Sequence, residues 1–230
     1  MKDISHLKKI AAEFAVNEFV DSDMIIGLGT GSTAIYAIQK IAELLQQGKF
    51  KNIKGIPSSE KTKREANKLY IPITTLNTHK TIDLTIDGAD EVDPDMNLIK
   101  GGGGALLREK IIAQESNKVV IVVDESKTSE TLGTNWPVPI EVIPFGWESQ
   151  IVFIKSIGAN PKLRLSESGK PFVTDQGNFI IDSYFGPIPN LITLSEILNS
   201  RAGIIEHGLF IDMATDLVVA SDQGIKHISK

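Results

Sequence analysis

The chain has 230 residues, 41% of them hydrophobic and 23% charged, which suits a soluble globular protein with one main core and room for a smaller attachment. A net charge of −5 offers no general attraction to nucleic acid, although cations and backbone amides that converge locally can still hold a phosphate. The lack of cysteine excludes disulfides, thiolate nucleophiles and cysteine-ligated metals, and the four histidines at 6, 79, 207 and 227 have no metal-ligand spacing. The start alternates charged and apolar residues, Met1-Lys2-Asp3-Ile4, unlike a signal peptide, and no apolar run reaches membrane length, so the expected location is cytoplasmic.

Ile4, Leu7, Ile10, Ala11, Phe14 and Ala15 recur at three- and four-residue spacing and predict a helix over 4–20. A short apolar strand follows at 24–28, runs into Gly29-Thr30-Gly31-Ser32-Thr33, and gives way to helix periodicity over 34–45. The pattern then recurs in kind: a strand at 52–56, a helix at 59–69, and a strand at 82–86 that ends at Asp87. A helix at 105–114 and a continuous β-branched strand at 119–123 complete the series, the latter typical of a buried parallel strand. Such alternation predicts an α/β fold, a Rossmann-like domain built on a mostly parallel sheet.

The texture changes near residue 130, where Pro137, Pro139, Pro144 and Pro161 punctuate shorter apolar segments. Residues 172–181 read as two strands around a polar turn, 191–202 as a helix, and 208–211 and 217–220 as strands. The organisation predicted is a catalytic α/β domain of 1–131 with 207–230, interrupted by a smaller α+β domain at 132–206.

Three loops carry the chemistry. In the first, the glycines around Thr30, Gly31, Ser32 and Thr33 allow close backbone approach, and the hydroxyls and following helix N-terminus suit a phosphate. It lacks the Gly-Lys-Ser/Thr ending of a nucleotide phosphate loop and the third glycine of a dinucleotide fingerprint. A plain turn capped by Ser32 or Thr33 would read the same way.

The second loop, Asp87-Gly88-Ala89-Asp90-Glu91, ends a strand with two carboxylates about a turn. Such a pair can move a hydroxyl proton of a sugar and orient its neighbour, ligate magnesium, or simply cap the turn. Glu91, Asp93 and Asp95 read as solvated acids. The third loop, Lys100-Gly101-Gly102-Gly103-Gly104, carries an entropically costly glycine run that suits backbone amides aimed at an anion, with Lys100 to neutralise developing negative charge.

Glu109 lies on the helix that follows and has the chemistry of a general base, while the same Glu-Lys pattern is common on helix surfaces. Arg108 and Lys110 read as ion-pair or surface groups. Lys127, in Asp124-Glu125-Ser126-Lys127, sits just past the 119–123 strand, where a ligand-facing and a solvated lysine look alike.

These segments together resemble ribose-5-phosphate isomerase A, the metal-independent enzyme of the pentose phosphate pathway. The resemblance rests on Gly29-Thr30-Gly31-Ser32-Thr33, Asp87 to Glu91, Lys100 to Gly103 with Arg108-Glu109-Lys110, and Val123-Asp124-x-Ser126-Lys127. Thr174-Asp175-x-Gly177-Asn178 and His207-Gly208-Leu209-Phe210 are similar too. It implies interconversion of D-ribose 5-phosphate and D-ribulose 5-phosphate through an enediol. Glu109 would be the base, Asp87 would act in ring opening and Lys100 would offset charge. Substrate would be bound by Thr30, Gly31, Ser32, Thr33, Asp87, Gly88, Ala89, Asp90, Lys100, Gly101, Gly102, Gly103 and Lys127. No metal, no organic cofactor, no nucleic acid and no membrane are implied, and the assembly would be a homodimer or homotetramer.

Other readings of the same residues are a non-catalytic sugar-phosphate sensor, an amino-sugar phosphate deaminase and a coenzyme A transferase with a carboxylate nucleophile. A sensor has no need for an Asp87 and Glu109 pair, and the single helix before the first strand leaves no helix-turn-helix module.

Overall fold

The computed structural model describes residues 3–230; Met1 and Lys2, part of the start that reads as unlike a signal peptide, lie outside the described residues. The described chain divides into two units, one formed by the residues up to Ala89 with Arg108–Lys127 and Asp212–Lys230, the other by Asp90–Leu107 with Thr128–Ile211.

The first unit opens with helix α1 (Ile4–Phe19), whose Asp3 cap accepts the His6 amide at 3.1 Å and whose buried stripe is Leu7, Ala11, Ala12, Ala15 and Val16. Then come β1 (Ile25–Leu28), α2 (Ala34–Gln46), β2 (Lys54–Pro57), α3 (Glu60–Lys68) and β3 (Leu84–Asp87). Ser59 caps α3 by accepting the Thr62 amide at 2.9 Å. After an excursion through the second unit's β4 (Glu91–Val92) and β5 (Leu98–Ile99), the chain returns along α4 (Leu106–Gln114) and β6 (Val119–Asp124).

The sheet order is β13-β12-β6-β3-β1-β2, where β12 is Asp216–Ser221 and β13 is Gly224–Ser229. All neighbours are parallel except the closing β12–β13 hairpin. Every residue of β3 and β6 is buried, as expected of strands covered on both faces. The apolar faces of α1 and α2 share one core with β1, β3, β6 and β12.

From β1 the chain moves outward to β2 on one side and then crosses to β3 on the other. The carboxyl ends of β1 and β3 therefore form the topological switch point, the place where an open α/β sheet leaves a crevice for ligands. Thr30 follows β1 and Asp87 ends β3, so the order of strands puts both at that point.

The second unit holds a four-stranded antiparallel sheet of order β10-β7-β9-β8, from β7 (Val138–Val142), β8 (Asn160–Leu163), β9 (Phe179–Tyr184) and β10 (Ile204–His207). Val138, Ile140, Val142 and Ile181 pack with Ile154 of α5 (Trp147–Ser156) and Leu198 of α6 (Leu191–Asn199). A three-stranded sheet, β11-β5-β4 with β11 at Leu209–Phe210, completes it.

Two expectations change. The sequence places 90–107 and 207–211 with the catalytic domain. Here they belong to the second unit, because β5 pairs with β4 on one side and with β11 on the other. Two-residue strands carry no periodicity to read. Residues 172–174 form no strand, and the hairpin partner expected there is replaced by a turn: the Thr174 amide donates to the Asn178 carbonyl at 2.9 Å.

Candidate active site

In the first unit, the glycine and hydroxyl loop is tied to the end of β3. The Thr30 amide donates to Asp87 Oδ1 at 3.1 Å and the Gly88 amide to the same oxygen at 2.8 Å. Gly29 donates to the Ile86 carbonyl at 3.1 Å, and a Cβ at Gly29 would overlap the Asp87 carboxylate, which is why a glycine stands there. Asp87 is 3% exposed.

The loop is also held from beneath. Thr30 Oγ1 lies 2.7 Å from Ser58 Oγ, 2.9 Å from Ser59 Oγ and 3.0 Å from Thr62 Oγ1, while Thr62 Oγ1 donates to the Gly29 carbonyl at 3.0 Å. From α1, Lys8 Nζ donates to Ser32 Oγ at 2.9 Å, adding a cation to the loop. Thr33 makes no side-chain cap bond, so the reading of Thr33 as a helix cap is not what is observed. The α2 N-terminus keeps its dipole end facing this loop.

Glu109 and Lys110 are 5% and 4% exposed. The surface-pair reading of Glu109, and the surface reading of Lys110, are thereby corrected. Arg108 pairs with Glu60 at 2.8 Å, as an ion-pair residue should. Lys127 ends the 3-10 turn Glu125–Lys127 that follows β6. Asp124 shapes that turn: its Oδ1 accepts the Ser126 amide at 3.1 Å and the Ser126 hydroxyl at 2.5 Å. Because β1, β3 and β6 are parallel, in the order β6-β3-β1, Thr30, Asp87 and Lys127 all lie at or just beyond carboxyl strand ends on one edge of the sheet.

In the second unit, Asp90 Oδ2 accepts the Gly102 amide at 2.6 Å, and Gly101 and Gly104 take φ of +103° and +79°, angles that favour glycine. Lys100 is 4% exposed; its amide donates to the Gly208 carbonyl at 2.9 Å and its Nζ lies 5.6 Å from the Phe210 ring centre. The His207-Gly208-Leu209-Phe210 segment is thus a seat for Lys100.

The Thr174 to Asn178 turn does structural work. Thr174 Oγ1 and Asn178 Nδ2 donate to Glu141 Oε1 at 2.8 and 2.9 Å. Burial pushes the Glu141 carboxyl above its usual range, these two bonds oppose the rise, and Glu206 and Asp175 add to it.

Glu91 is the clearest departure from the sequence reading. It is no solvated acid but is fully buried, accepting from Ser129 Oγ at 2.6 Å and from the amides of Gly133, Asn135 and Trp136 at 2.9, 3.0 and 3.2 Å. Asp93 is half-buried and caps a turn, accepting the Asn97 amide at 2.8 Å.

The predicted residues therefore fall into two bonded groups. Thr30, Asp87 and Gly88 are joined in the first unit, which also carries Gly31, Ser32, Thr33, Ala89, Glu109 and Lys127. Asp90 and Gly102 are joined in the second, which also carries Lys100, Gly101 and Gly103. Lys8, Ser58, Ser59 and Thr62 were not legible as site residues. A serine pair directly after the second strand was the only signal, and it is an ordinary helix-cap pattern. No group of three or more His, Asp or Glu arranged to hold a metal occurs among the described residues.

A glycine and hydroxyl loop beside a carboxylate at the switch point of a mostly parallel sheet defines the class as an α/β protein with a ligand crevice at its carboxyl strand ends. Comparison with known proteins narrows the class. Residues 54–224 match the model of the family ribose 5-phosphate isomerase A (phosphoriboisomerase A). A ribose-5-phosphate isomerase A of Desulfatibacillum aliphaticivorans is 51% identical over 222 residues, covering 96% of each chain. A probable ribose-5-phosphate isomerase 2 of Arabidopsis thaliana is 48% identical over 96% of this chain and 85% of its own. Among solved structures, a D-ribose-5-phosphate isomerase in complex with phospho-erythronic acid superposes with a TM-score of 0.97 at 41% identity, covering 100% of both chains. The Plasmodium falciparum ribose 5-phosphate isomerase gives 0.95 at 42%, covering 98% of this chain and 99% of that one. The chain belongs to the ribose 5-phosphate isomerase A family.

Proposed function

We propose that this protein interconverts ribose 5-phosphate and ribulose 5-phosphate through an enediol, with Glu109 as the base. Glu109 takes the proton from C2 of the open-chain aldose, the electron pair forms the C1=C2 bond and the aldehyde π electrons move to O1. A proton passes from O2 to O1 through the enediol, and the carboxyl returns its proton to C1 as the C2=O bond of the ketose forms. Asp87 moves the hydroxyl proton during ring opening. Asp90 orients neighbouring hydroxyls. Lys100 and the loop at Gly101 to Gly103 offset the negative charge that develops on oxygen, with the Gly102 amide holding Asp90 in place.

Thr30, Gly31, Ser32 and Thr33 hold the substrate at the α2 N-terminus, with Gly88, Ala89 and Lys127 completing the binding set. A phosphorylated polyhydroxy acid bound by a relative that is 41% identical supports this substrate class. The observation that carries the reading is Glu109 itself: a carboxylate 5% exposed, four residues after the end of the 101–104 glycine run's flanking Ala105, is shielded in the way a carbon base needs. A homodimer or homotetramer working in the cytoplasm without a metal or organic cofactor is part of the same proposal; no helix among the described residues is long and apolar enough to cross a membrane.

The test is conversion of ribose 5-phosphate by protein stripped of metal and assayed with chelator. Turnover at an undiminished rate is expected. Tight sugar-phosphate binding without turnover would overturn the isomerase reading in favour of a sensor, and activity restored only by added divalent metal would overturn the metal-free mechanism.

A further inference from the structure

Arg164, directly after β8, is used by neither the sequence reading nor the proposed chemistry. Its guanidinium faces two ways. One edge is a fork on Asp182, with Nε to Oδ2 at 2.9 Å and Nη2 to Oδ1 at 2.5 Å. The remaining nitrogen, Nη1, donates to the carbonyls of Gly101 and Gly102 at 2.8 and 3.2 Å. The pair is largely withdrawn from water, with side-chain exposures of 14% and 20%.

We propose that Arg164 is a positioning residue for the glycine loop at 101–104, a strut that fixes which way its peptide groups face. A peptide plane carries its C=O and N–H on opposite edges. Holding the Gly101 carbonyl from one side turns the Gly102 N–H to the other, where it meets Asp90 Oδ2 at 2.6 Å. Holding the Gly102 carbonyl likewise turns the Gly103 N–H away from Arg164, and both Gly102 and Gly103 are exposed. Without the strut, the first peptide keeps only the turn bond from the Gly104 amide to the Gly101 carbonyl at 2.9 Å and its bond to Asp90, and the second has glycine's freedom to flip and turn the Gly103 donor away.

The anchor is rigid. Asp182 lies within β9, paired with Pro139 of β7 on one side and Lys162 of β8 on the other. Phe172 braces the assembly, with its ring centre 5.8 Å from the guanidinium carbon and its edge so close to Gly104 that a Cβ there would lie 2.5 Å from the ring. Only a planar fork can serve a carboxylate and two carbonyls together; an ammonium at this point serves one or the other.

This inference rests on the proposed role of the Lys100 loop in binding substrate, so the experiment separates the two. Arg164→Met, Arg164→Lys and Lys100→Ala are compared by steady-state kinetics on ribose 5-phosphate and by amide hydrogen exchange of the segment 98–107. Both Arg164 variants are expected to lose about tenfold or more in kcat, as a loosened donor set does, with a smaller change in KM. Exchange should quicken at 101–104 while the four-stranded sheet keeps its protection, and Lys100→Ala should lose most activity. Wild-type kinetics in both Arg164 variants beside an inactive Lys100→Ala overturns the strut and leaves the loop's role standing. Full activity in Lys100→Ala overturns the loop's role, and the strut with it. Faster exchange throughout the second unit assigns Arg164 to general stability and also overturns the proposal. Should Arg164→Met fail to fold, Asp182→Asn, which keeps the shape and removes the charge, is read by the same outcomes.

Discussion

Glu91→Gln isolates what a buried carboxylate contributes to the second unit. Glu91 is fully buried, and its oxygens receive four donors: Ser129 Oγ and the Asn135 amide on Oε1, the Gly133 and Trp136 amides on Oε2. Glutamine keeps one acceptor oxygen and turns the other into a donor. With the NH2 at the Oε1 position, where the Ser129 hydroxyl can turn to accept, one backbone N–H, that of Asn135, is left facing a donor, at a cost of about 1–3 kcal/mol. A chain of this size moves about 2–4 °C per kcal/mol, so a fall in melting temperature of about 5 °C is expected. Both tryptophans, Trp136 and Trp147, lie in the second unit, so their fluorescence during thermal and urea unfolding reads the right part of the molecule. A melting temperature within about 2 °C of wild type would refute the argument, since it would mean that the donors find other partners at no cost.

Thr62→Val keeps the side chain's shape and removes a hydroxyl that lies 3.0 Å from Thr30 Oγ1 and donates to the Gly29 carbonyl. A KM for ribose 5-phosphate raised about three- to tenfold with kcat nearly kept is expected, for a stability loss of about 1–2 kcal/mol. An unchanged KM would show that the hydroxyl cluster does not position the loop.

A pH effect is expected at Asp216. Burial alone would raise its carboxyl, but hydrogen bonds from His227, Thr215 and Lys118 outweigh burial and hold it below the usual range. A lowered folded-state pKa gives stability that is present above the unfolded value of about 3.9 and is lost as pH falls through the folded one. The stability gap between wild type and Asp216→Asn, measured by urea unfolding, should therefore be widest near neutral pH and close below about pH 4. A gap that stays constant down to about pH 2 would contradict the assignment.

How far the sequence reads depends on periodicity. The helices at 4–19 and 34–46 and the buried strand at 119–124 are long enough for their apolar spacing to declare them, and each falls within about two residues of its predicted bounds. The strand order, and so the switch point that joins Thr30 to Asp87, is a tertiary fact that follows only from pairing. Strands β4, β5 and β11 are two residues each, too short to alternate, so spacing does not show that 90–107 pairs with 209–210.

In the proposed site, residue type and loop position single out Asp87, Lys100 and the glycine run, because glycine and charge between apolar strands have few structural uses. Burial is what they do not reveal. Glu91 and Glu109 are both acids beside a charged neighbour, and nothing local tells that one holds a loop of four donors while the other sits shielded on α4. Arg164 is less legible still, since its partners lie 18 and 63 residues away in the chain.

The central claim is that Glu109 is the carbon base, and the most direct test is the kcat of Glu109→Gln for ribose 5-phosphate, with the fold verified by its melting curve. A fall of about a hundredfold or more with KM within a few-fold of wild type is the expected result. A variant that retains kcat within about threefold would contradict the account and move the proton transfer to another group.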